Sequence, residues 1–179
     1  MSSVTERTDH EIGSVRLMGG AFAFLRVVSG LVWLSNALAK LFFDGKSNFD
    51  WGFVTFNLID RATARGMLQR ASDGTFQPLR WLYQDVVLAN WSFFQWFLTV
   101  GELAAGLMLL FGIGSRLGAL IPLLLIGPIW IMSLDHGNLY LWEYPNELLP
   151  LLLLAIVPSG RVFGQDRKLA PRFNGRWPF

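Results

Sequence analysis

Arg26 and Glu102 are opposite charges, each set inside an apolar stretch long enough to cross a membrane. A charge in hydrocarbon is costly unless it is partnered or wetted, so such residues mark helix contacts or functional sites. Two chemistries are open to them. One is a buried ion pair that fixes the first apolar segment against the second, helped by Gly101, Ala105 and Gly106, which permit close approach. The other is a charge site that touches a ligand headgroup or moves a proton.

A second group of reactive side chains gathers at the opposite ends of the apolar segments. Lys40 closes the first, Asp135 and His136 follow the third, and Glu143 and Glu147 open the fourth, with Trp33, Trp130, Tyr140, Trp142 and Tyr144 at similar depth. Acidic groups, one histidine and stacked aromatics can hold a quinone ring, with His136 or Tyr144 donating a hydrogen bond to a carbonyl and a carboxylate taking the proton. The candidate quinone-binding set is therefore Trp33, Lys40, Trp130, Asp135, His136, Tyr144 and Glu147. The competing role is that of solvated anchors, common for charges and aromatics at a membrane edge. No metal is expected, because Asp135, His136, Glu143 and Glu147 are suitable ligand types without metal-site spacing. No residue is assigned a catalytic role.

The elements that must position these groups are four apolar segments, at about 17–43, 91–112, 117–134 and 140–162. Each has about the twenty residues that a helix needs to cross a core roughly 30 Å thick, and continuous apolar runs of this length read as helices. Composition agrees: 53% of the 179 residues are hydrophobic and 16% charged, against roughly 25% charged in soluble domains. The expected fold is one all-α domain, an integral membrane four-helix bundle with a long extracytoplasmic loop that contains short helices. A net charge of +2 offers no nucleic-acid surface. With no cysteine there is no thiolate metal site or Cys-ligated cluster, and His10 lies in a polar tail, so a bis-histidine haem is not expected either. Any redox role must borrow a cofactor or carrier. The polar first sixteen residues followed by an overlong apolar segment do not resemble a cleavable signal peptide.

Orientation follows from basic residues beside the segment ends. Arg161, Arg167, Lys168, Arg172 and Arg176 crowd the tail, and Arg116 sits in the tight turn between the second and third segments. The positive-inside rule puts both in the cytoplasm. Residues 1–16 and 163–179 then form cytoplasmic tails, and 44–90 lies outside, together with every tryptophan except Trp177 and all three tyrosines. Within that loop, the mixed apolar and basic run from Arg61 to Arg70 suits a short helix lying on the membrane or capping the bundle. Pro78 can open a helix that continues towards the second segment, its first part either projecting outward or bending near Asn90. Arg26, Gly30, Trp33, Ala37 and Lys40 follow the spacing of one helix stripe, which cannot face lipid. Pro122, Pro128 and Pro150 lie inside the third and fourth segments, where each removes a backbone hydrogen bond.

Leu25-Arg26, Gly30-Leu-Val-Trp33 and Lys40-Leu41 form one short motif set. Gly101-Glu102, the run from Gly106 to Arg116, and Gly160-Arg-Val-Phe-Gly-Gln-Asp166 form others. In these pieces the chain resembles the DoxX and DoxD family of small four-span membrane proteins. Where members usually carry a glycine shortly before the lysine of the first span, this chain has Asn36-Ala37. The resemblance implies a bacterial or archaeal cytoplasmic-membrane subunit with other membrane or redox subunits, and lipid, as partners. In the DoxD branch it implies a link to thiosulfate:quinone oxidoreductase and quinone-linked sulfur oxidation, and in the DoxX branch to redox or oxidative-stress complexes. The expected role is thus an accessory subunit assisting quinone-linked electron transfer, with quinone as the one cofactor in question. The alternative is a non-catalytic structural subunit that binds neighbouring helices and lipid.

Overall fold

The computed structural model describes residues 2–43, 48–50, 52–53, 55–134 and 143–179, with backbone alone at 2–12, 48–50, 55–56 and 143–145. Helix α1 runs from Ser2 to Phe42, α2 from Arg61 to Asp73, α3 from Gln77 to Trp81, α4 from Trp91 to Phe111, α5 from Ser115 to Ser133, α6 from Glu143 to Ile156 and α7 from Asp166 to Arg172. A two-stranded antiparallel ribbon, β1 (Asn48–Asp50) and β2 (Thr55–Asn57), pairs Phe49 with Phe56 between α1 and α2.

Among the described residues, three helices are long and apolar enough to cross a membrane: the Gly13–Phe42 part of α1, α4 and α5. Little of each apolar stretch is buried within the chain, and Phe24, Leu31 and Phe42 on α1 and Leu124 and Ile131 on α5 are exposed. One stripe of α4, formed by Phe93, Phe97, Val100, Leu107 and Phe111, is exposed along its whole length. Water-soluble proteins rarely expose such continuous apolar surface, whereas lipid requires it.

The fourth expected segment differs. Of the expected 140–162 the structure describes residues from Glu143 on, and there helix α6 runs 14 residues to Ile156, roughly 21 Å of rise. Its end has a local cause: Val157 precedes Pro158, and the proline ring disfavours helical backbone at the residue before it. Helical backbone in α1 begins at Ser2, so most of the expected N-terminal tail is helical.

Helices α1 and α4 pack most extensively, α4 packs on α5, α5 on α6, and α6 touches α1. Their shared core is Leu109, Ala119 and Leu154, flanked by Phe22, Leu25, Trp33 and Ala155. The α1–α4 seam is a backbone contact. A side chain on Gly30 would meet the Leu110 amide nitrogen at 2.6 Å, and one on Gly106 would meet that of Leu34 at 2.7 Å. Glycine at both places lets the helices close on each other, and the fully buried Ala37 and Ala105 extend the seam. As the spacing on α1 required, Arg26, Gly30, Ala37 and Lys40 are buried and Trp33 is partly so.

The segment between α1 and α4 is built, not slack. Asp60 is fully buried, and its side chain accepts from the Thr63 amide at 2.7 Å, capping α2. Ala64, Leu68 and Ala71 form the buried face of α2. Pro78 lies in the first turn of α3, and a π-helical stretch from Leu82 to Leu88 continues it. The helix is interrupted at Asn90, whose side chain donates to the Val86 carbonyl at 2.8 Å.

Candidate functional site

Two polar centres lie at opposite ends of the α1–α4 seam, separated by fourteen residues of α1, about 21 Å. The first is built around Arg26. Its guanidinium is fully buried and donates to the carbonyls of Leu109, Leu110 (3.1 Å) and Phe163 (3.4 Å). Leu109 and Leu110 belong to the last turn of α4, where carbonyls have no partner within the helix. A cation there also meets the negative end of the helix dipole.

Asp166 completes this centre. The α4–α5 turn uses Gly112 and Gly114 at φ +64° and +53°, a region open to glycine without strain. Gly114 has no side chain with which to cap α5, so the cap comes from a distance. The fully buried carboxylate of Asp166 accepts from the amides of Gly114 at 2.6 Å and Ser115 at 2.9 Å. Its own amide donates to the Gly112 carbonyl at 2.8 Å, and Ser115 Oγ accepts from the Gly160 amide at 3.0 Å. Gly160 has no room for a side chain, because Asp166 and Ser115 occupy that space. Asp166 also lies within electrostatic reach of Arg26.

The second centre is an ion pair. Lys40 Nζ lies 2.8 Å from Glu102 Oε2 and donates to the Ile59 carbonyl at 2.9 Å. Asn36 Oδ1 accepts from the Ile59 amide at 3.5 Å, so the segment leading into α2 is tied to α1 from both sides of one residue. Lys40 and Glu102 are both buried, and Thr99, one turn before Glu102, is buried with its hydroxyl bonded to the Gln95 carbonyl.

The expected Arg26–Glu102 ion pair does not form. Both charges are buried and paired, but with other partners: Glu102 with Lys40, and Arg26 with carbonyls beside Asp166. The cause is register. With Gly30 against Gly106 and Leu110, Arg26 lies beside the end of α4 and Glu102 falls about two turns away. Counting depth from the ends of the apolar runs assumes that both runs start at one level. Helix α1 instead continues past the end of α4.

The candidate quinone residues are divided among different contacts. Trp33 packs against the Leu109–Ala119–Leu154 core, Lys40 is held by Glu102 and Ile59, and Trp130 Nε1 donates to Glu147 Oε2 at 3.1 Å, linking α5 to α6. Asp135 and His136, and the side chain of Tyr144, lie outside the described residues. A surface cavity lies elsewhere, between α2 and the first turns of α4. Asp166, which ends one of the short motifs, is not among the candidate site residues read from the sequence. The available signal was a Gly-Ile-Gly-Ser turn whose following helix lacks a capping side chain.

No protein-family model, curated protein or solved structure matches this chain.

Proposed function

We propose that the chain is a DoxX/DoxD-like accessory subunit of a membrane redox complex, one that docks an electron-carrying partner near the quinone pool and carries no redox centre of its own. The observation behind this reading is convergence. The short motifs that carry the resemblance are scattered from Leu25 to Asp166, yet Arg26, Lys40, Glu102, Gly112, Gly160 and Asp166 meet in two buried polar centres. The resemblance therefore covers the residues that close both ends of the α1–α4 seam, not only apolar positions. Co-purification from mild detergent, with mass spectrometry of proteins and extracted quinone, is expected to recover an oxidoreductase subunit and quinone. Isolation of the chain with only non-redox membrane proteins and lipid would replace this reading with the structural-subunit one. That second reading has its own support, since the described charges of the outer group are engaged in internal pairs.

In this proposal the chain crosses the bacterial or archaeal cytoplasmic membrane four times, with α6 as the short fourth crossing and both termini cytoplasmic. The basic residues of α7, Arg167, Lys168 and Arg172, support that side for the Arg26–Asp166 centre. The Lys40–Glu102 pair then lies towards the outer face. Reporter fusions after Phe179 and within 44–90 are expected to report inside and outside respectively. An external C-terminus would reverse both assignments.

A further inference from the structure

Between α2 and the beginning of α4 lies an open cavity of about 550 Å³, lined by Arg61, Arg65, Gly66, Gln69, Trp91 and Gln95. Arg61, Arg65 and Gln69 recur every four residues and form one stripe of α2, beside the face that buries Ala64, Leu68 and Ala71. The Arg61 guanidinium carbon stands 5.0 Å from the centroid of the Trp96 ring, a cation–π contact that holds it in place. Its Nε is buried and has no hydrogen-bond partner among the described residues. Neither Arg61 nor Arg65 forms a salt bridge among the described residues. The nearest carboxylate in sequence, Asp60, turns to the Thr63 amide. Two arginines with two side-chain amides around one opening, and no carboxylate paired with them among the described residues, describe a site for a phosphate-type group: guanidinium forks match its oxygens, and amide NH₂ groups supply further donors.

We propose that this cavity binds the phosphodiester of an anionic phospholipid headgroup. The choice of lipid over soluble phosphate comes from position and rests on the membrane reading above. Trp91 and Gln95 occupy the first two turns of the apolar helix α4, so the cavity lies where a membrane-crossing helix meets the headgroup layer. Trp91 and Trp96 are the amphipathic rings that favour this layer. A headgroup bearing its own cation would bring that charge towards the arginine pair, so phosphatidylglycerol should bind in preference to phosphatidylcholine.

The test is native mass spectrometry of the full chain in micelles containing equal amounts of the two lipids, with sodium phosphate as competitor. Wild type is expected to retain phosphatidylglycerol, and Arg61→Gln/Arg65→Gln to reduce its affinity about tenfold, the loss expected of charge-assisted bonds. The charge-matched Arg172→Gln/Arg176→Gln variant, at exposed positions far from α2 in the chain, should bind as wild type does. Gly66→Leu covers the case in which the arginine variant fails to fold. A side chain at Gly66 meets nothing closer than the tip of Arg70 at 3.6 Å, and leucine favours the helix while filling the opening. It too should lose the lipid. Equal retention of both lipids, or unchanged retention in either folded variant, overturns the proposal. Displacement by an equal concentration of phosphate overturns the lipid assignment in favour of a soluble phosphate. Alkaline extraction of native membranes separates the premises: a chain that stays in the membrane without headgroup preference sinks this site alone, and a chain that leaves the membrane sinks the membrane reading as well.

Discussion

Glu102→Ala is expected to destabilise the protein by about 3–5 kcal/mol, the usual cost of leaving one member of a buried ion pair without the other. Lys40 has 2% of its surface exposed, and its ammonium meets only Glu102 and the Ile59 carbonyl. Removing the carboxylate strands a charge that a single neutral acceptor cannot offset. Lys40→Met should cost a comparable amount for the mirror-image reason. The double variant Lys40→Met/Glu102→Leu should recover most of the loss, because apolar residues of similar volume often replace a buried pair without penalty. The measurement is a double-mutant cycle on unfolding in detergent, where strictly additive effects would mean that the 2.8 Å contact contributes no coupling. The same cycle separates two roles. If the pair only braces α1, α4 and the Ile59 segment, the double variant should also support the partner's activity. If it moves a proton, the double variant should be stable and inactive.

That these two charges would be buried was legible in the sequence, and their pairing was not. A lysine and an arginine at helical spacing inside an apolar run state which face of α1 must turn inward, whatever the neighbours are. The partner of each charge depends on how far α1 slides along α4, and that is fixed by the contact of Gly30 with Leu110 and of Gly106 with Leu34. Small residues permit close approach at any register, so their presence does not select one. The fourth segment was over-long for a related reason: hydropathy sees apolar residues to Val162, but helical backbone stops at Ile156, ahead of Pro158. On α2 the basic stripe was visible as a pattern. The aromatic that holds Arg61, Trp96, is thirty-five residues away in sequence and was recognisable only in three dimensions.

Asp166→Ala should be nearly as damaging as the loss of Glu102, by a different route. It frees the Gly114 and Ser115 amides at the start of α5 and removes the carboxylate whose field Arg26 feels. Each stranded buried donor costs about 1–3 kcal/mol, so a total of about 3–5 kcal/mol is expected once the unbalanced guanidinium is included. Asp166→Asn keeps the shape and one acceptor oxygen but turns a donor towards the other amide, so it should fall between wild type and alanine. Arg26→Met tests the centre from the other side: the apolar stem stays, and the carbonyls of Leu109, Leu110 and Phe163 lose their donor. Because these groups, the glycines between them and the bond from the Gln165 amide to the Phe111 carbonyl join the last turn of α4, the first turn of α5 and the 160–166 segment, Asp166→Ala and Arg26→Met should accelerate amide exchange in the same places. Gly114, Ser115, Gly160 and Asp166 are the amides to follow, since each donates within this knot. Faster exchange confined to the mutated helix in each variant would show two separate local contacts. Faster exchange at all four amides in both variants is the expected signature of one centre closing this end of the bundle.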